Sequence, residues 1–170
     1  MDVTAIVRPP RHAHPADLPG LAERDMLTMY AAVADTCPLT SKDVSLLDGT
    51  TVRVDGVSGA EDLFVIPVCH VGPLPSDAGP HLARDVFSLA TVLAERPGAH
   101  AVLLFACPQA RDDARELVGA LTLQTGIALE SVDLGAAWNE RLIEIARPAG
   151  RHRASGPARS EASAGRHRAG

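Results

Sequence analysis

Two unbroken apolar runs, Leu63 to Val68 and Ala101 to Ala106, with one amphipathic stretch between them, constrain this chain more than any other feature. A strand that is apolar at every position, with no alternation, is buried on both faces, which requires a layer on each side of its sheet. Between the runs, Leu82, Val86, Leu89, Ala90 and Leu93 recur at helical spacing behind Pro80, a residue suited to a first helical position. Strand, helix and strand in that order predict a right-handed crossover and two parallel neighbours. Pro67 adds a condition: it withholds one ladder donor, so the first strand must be at an edge there or carry a bulge.

The flanking sequence extends this unit. Leu21 to Ala34 carries Leu21, Met26, Leu27, Tyr30, Ala31 and Ala34 near helical spacing and is stopped by Cys37-Pro38. Val44 to Leu47 and Thr51 to Val54 read as a hairpin about Asp48-Gly49, with Asp55-Gly56 and Ser58-Gly59 in the loop that follows. A helix from Pro108 to Thr125, with Leu117, Val118 and Leu121 inward, is stopped by Gly126. A strand from Ile127 to Val132 and a helix from Ala136 to Arg147, anchored by Trp138, complete the pattern. The predicted order is α-β-β-β-α-β-α-β-α, a mixed sheet flanked by helices in a single α/β domain over residues 20–147. Residues 1–19, with Pro9, Pro10, Pro15, Pro19, His12 and His14, read as a disordered, unpaired arm. Residues 148–170 read as a disordered tail that repeats Gly-Arg-His-Arg-Ala at 150–154 and 165–169.

Charge divides the chain. The formal total is −5, but the tail holds Arg151, Arg153, Arg159, Arg166 and Arg168 against Glu161, or +4, leaving −9 on residues 1–147. An acidic domain argues against broad, non-specific nucleic-acid binding, which rests on phosphate neutralisation by basic groups. The tail is then the electrostatic handle for a protein or nucleic-acid partner. Cys37, Cys69 and Cys107 fit neither a disulfide framework nor a CxxC metal motif, so reduced thiols are expected. Residues 1–19 contain no signal-type apolar core, and no apolar run reaches the roughly 18 residues of a membrane span; a cytoplasmic protein is the expectation.

The order of an opening helix, a hairpin leading into a third strand, a crossover helix and a parallel fourth strand resembles the restriction-endonuclease-like fold of the PD-(D/E)xK nuclease superfamily. The resemblance spans residues 21–133 and includes the strand, turn and helix phrase from Asp62 to Leu89. It implies an aspartate near the end of the second strand, matched by Asp55. It also implies an acidic residue in the third strand, a lysine two positions later, and Mg2+ whose bound water attacks a phosphodiester. Phe64-Val65-Ile66-Pro67-Val68 contains no Asp, Glu or Lys, so the active site is expected to be catalytically degenerate and the protein to act by binding. The alternative is an active nuclease with relocated acidic groups. Asp55 and Asp62 are then the candidate metal ligands, Asp85 is the candidate on the neighbouring helix, and Glu61 is a further substitute beside Asp62.

A separate chemistry sits at the strand ends. Cys69-His70 and Cys107 follow the two apolar strands on the carboxyl side, where open α/β sheets build ligand sites. Cys107 precedes Pro108 at a helix start, where the dipole favours a thiolate, and His70 supplies a base. Against this, buried cysteine behaves as a small hydrophobe, and three ligands without CxxC spacing are a weak zinc pattern. The segment Gly72 to Pro80 has three prolines and no phosphate-loop pattern, so a rigid connection is expected.

Overall fold

The computed structural model describes residues 9–10 and 13–146. Its elements follow the expected order: α1 (Leu18–Val33), β1 (Thr40–Ser45), β2 (Thr51–Val57), β3 (Leu63–Val68), α2 (Ala78–Glu95), β4 (His100–Phe105), α3 (Pro108–Thr125), β5 (Ala128–Ser131) and α4 (Ala136–Ala146). The strands lie in chain order in one mixed sheet. Pairing is antiparallel from β1 to β3 and parallel from β3 to β5. Phe64, Ile66, Leu103 and Phe105 face α2 and α3, packing with Leu82, Val86, Leu89, Ala114 and Val118. Val65, Val102 and Leu104 face α1 and α4, packing with Leu18, Met26, Tyr30, Trp138 and Leu142. Successive residues of β3 and β4 thus feed opposite cores, which is why both strands are apolar throughout.

Pro67 fits by position. The carbonyls of Asp62 and Val68 accept from the amides of His100 and Ala106, so the even positions of β3 turn their backbone groups toward β4. Pro67, at an odd position, turns toward β2, whose ladder with β3 consists of Gly56 with Val65 and Val57 with Phe64. The missing N–H therefore lies beyond the end of that ladder, where β3 is locally an edge.

Several boundaries differ from the sequence reading. The N-terminal arm does not extend to residue 19: Pro15–Asp17 form a 3-10 turn, and α1 begins at Leu18 rather than Leu21. Prolines are tolerated in a first helical turn, and Leu18, only 2% exposed, gives that turn a side chain to bury. The hairpin strands are longer than predicted, and Asp55-Gly56 lies within β2 rather than in a loop. Thr40 pairs with Val57 and Lys42 with Val54, so three steps on β2 answer two on β1. The Asp-Gly signal produces a β-bulge at that point. Leu117 is half exposed, and Ala110, Ala114, Val118 and Thr122 form the buried stripe of α3 in its place. Residues 1–8, Arg11, His12, Arg147 and the basic tail 148–170 lie outside the described residues.

Candidate functional site

Gly56 brings α1 onto the sheet. A Cβ at this position would lie 2.5 Å from Leu27 Cδ2 and 3.2 Å from Val65 Cβ, so a larger residue would require Leu27 and Val65 to shift and glycine lets the helix pack closely. Leu27 packs there, and Glu23, one helical turn earlier on the same face, is carried over Asp55. The two carboxylates line a cleft of about 400 Å³ with Gly20, Arg24, Leu27 and Leu39. Burial raises the Glu23 pKa above its usual value, and the neighbouring charge of Asp55 raises it further. Asp85, from α2, is also raised by burial; Arg84 and His81 offset this in part, and Asp55 again adds to it. Asp55 therefore stands within electrostatic reach of one carboxylate from each flanking layer. None of the three makes a hydrogen bond or ion pair among the described residues.

Asp55 lies opposite Ile66 in the carboxyl-terminal half of β3, and Cys69 follows that strand within reach of the charge of Glu23. The Cys69 thiol is pushed up to about 12 by burial and by the charge of Glu23, which keeps it protonated and poorly nucleophilic at neutral pH. Cys69 packs into the core under α1 and α4, whereas Cys107 packs into the core under α2 and α3, so the sheet separates the two side chains. Cys107 Sγ caps α3 by accepting from the Ala110 amide at 3.5 Å and lies 3.7 Å from the His70 carbonyl, to which it donates. The His70 ring instead donates through Nε2 to the Pro73 carbonyl at 2.7 Å. Asp113 Oδ2 accepts from the Leu74 amide at 2.8 Å, which ties the Pro-rich connection to α3. The contacts of Cys107 and His70 are those of a braced loop.

Asp62 is not part of the cluster. It immediately precedes β3 at the opposite end, four residues before Ile66, the position opposite Asp55, or about 13 Å along the strand. The hydroxyl of Ser58 donates to Asp62 Oδ1 at 2.5 Å and accepts from the amides of Asp62 and Leu63 at 3.2 and 3.1 Å. Glu61 pairs with Lys42 and lies 3.7 Å from Arg96, and the Lys42 hydrogen bond holds its carboxyl below the usual carboxylate range. The lone lysine of the chain is thus engaged at the amino end of β3. Trp138 is fully buried, and its Nε1–H donates to Asp25 at 3.0 Å, so it locks α4 to α1.

Sequence reasoning had singled out Asp55 and Asp85 but missed Glu23. The available signal was its position one turn before Leu27, at the edge of the buried stripe of α1, but only the close approach at Gly56 gives that position meaning.

The Mg2+ that the nuclease resemblance implies does not fit this donor set. Asp55 lies one residue past the Gly56–Val65 pair, so β3 continues opposite it as Ile66-Pro67-Val68, where a second carboxylate and a lysine would be needed. Among the described residues no three His, Cys, Asp or Glu side chains gather as metal ligands. None of the helices among them is long and apolar enough to cross a membrane.

No protein-family model matches the chain, and no curated protein does. Among solved structures it is similar to a repair endonuclease from Pyrococcus abyssi, at 16% identity and a TM-score of 0.34 over 76% of this chain. The chain spans half the length of that protein. At this level of likeness, the activity of that enzyme is not carried over.

Proposed function

We propose that this chain is a cytoplasmic binding module with a restriction-endonuclease-like core whose catalytic apparatus is degenerate. The observation that supports it is the apolar sequence Ile66-Pro67-Val68 opposite Asp55, in place of the acid and lysine that a metal-dependent nuclease needs there. The carboxylates of Glu23, Asp55 and Asp85 make this edge hostile to phosphate, so the domain itself favours a protein partner with cationic groups. The basic tail 148–170 is the complementary handle for an anionic partner, and nucleic acid is the class it would take.

The test uses the full chain with plasmid DNA and single-stranded RNA in Mg2+ and in Mn2+. Product no greater than in the metal-free control is expected. Metal-dependent cleavage that is lost in Asp55→Ala overturns the proposal, and Glu23→Ala and Asp85→Ala then identify the relocated ligands. Anisotropy titration of a fluorescent duplex at low ionic strength separates the partner classes. Binding that disappears on deletion of residues 148–170 supports nucleic acid, and no binding by the full chain supports a protein.

A further inference from the structure

We draw no further inference here: the strongest candidate, the groove between α3 and the outer edge of β5 lined by Leu123, Ile127 and Leu129, is an unpartnered apolar face, and nothing in the structure shows what covers it.

Discussion

The two ends of β3 treat acidic residues in opposite ways. At the amino end, Asp62 is tied to the hydroxyl of Ser58, and Glu61 is neutralised by Lys42 and Arg96. At the carboxyl end, Asp55 is approached by Glu23 from one flanking layer and by Asp85 from the other, and burial, with the charge of Asp55 added, raises the pKa of both. The amino end uses charge to close a loop and a hairpin. The carboxyl end holds carboxylates that make no hydrogen bond or ion pair among the described residues and that Arg84 and His81 offset only in part, a cost that packing alone gives no reason to retain. This contrast, more than the acidity of either end, is the ground on which the proposed binding role is placed at the carboxyl end.

Between these ends stands Val65, fully buried beneath α1. Val65→Asp gives the largest effect, a loss of about 4 kcal/mol or more, because a carboxylate there has neither water nor a cation. Urea unfolding measures it, with failure to accumulate folded protein as the extreme outcome. A loss below about 1 kcal/mol would mean that the strand is not a central layer. Gly56→Ala ranks next, at about 1–3 kcal/mol, since the added methyl meets Leu27 and Val65. An unchanged urea midpoint would show that α1 can withdraw from the bulge, and with it Glu23 from Asp55.

At the amino end, Ser58→Ala removes the acceptor for the Asp62 and Leu63 amides and the donor to Asp62, at a residue only 4% exposed. The expected loss is about 1–2 kcal/mol. Removing the Lys42–Glu61 pair, which is more exposed, costs under about 1 kcal/mol and less at high salt. If Ser58→Ala has no effect on unfolding, the amino end is no better compensated than the carboxyl end.

The part of this arrangement that depends on local pattern could be read in the sequence. Leu63–Val68 and Pro108–Thr125 have the boundaries that their apolar content and flanking Pro and Gly residues predict, because these are local signals. The Asp55-Gly56 pair was misread for a related reason: Asp-Gly marks a departure from regular strand, but whether it becomes a turn or a bulge depends on the partner strand, and here β1 continues past it. Leu117 was placed inside α3 on hydrophobicity, although small residues, Ala110 and Ala114, let that helix lie close to the sheet. Of the carboxylates coupled through Asp55, Asp55 itself and Asp85 could be singled out from the sequence, whereas the strand-end position was read for Cys69, His70 and Cys107. Glu23 was not legible because its proximity to Asp55 is set by the packing of Leu27 on Gly56, a contact between elements about thirty residues apart in sequence.

The smallest effect tests the contrast most directly, because it has the opposite sign from the others. An acid whose pKa is raised in the folded state binds its proton more tightly there than in the unfolded chain, so its contribution to stability falls as pH rises through the folded value. Glu23 and Asp85 are such groups, and their penalty is present at neutral pH and relieved as pH falls toward their ordinary values of 4.5 and 3.8. Glu23→Gln and Asp85→Asn should therefore raise the melting temperature at pH 7, each by about 1–3 °C, corresponding to less than about 1 kcal/mol for partly solvated groups. The advantage should disappear at pH values below those ordinary ones, where the wild-type carboxylates are protonated in both states. Glu61 behaves inversely: its lowered pKa makes its contribution present above 4.5 and lost as pH falls through the folded value, so Glu61→Gln should lower the melting temperature at neutral pH. Calorimetric scans of the three variants at pH 7 and pH 3.5 separate the two ends of β3 by the sign of the change at neutral pH. If Glu23→Gln and Asp85→Asn are both destabilising at pH 7, the carboxyl-end acids are paired in solution after all, and the physical ground for assigning that end to binding is removed.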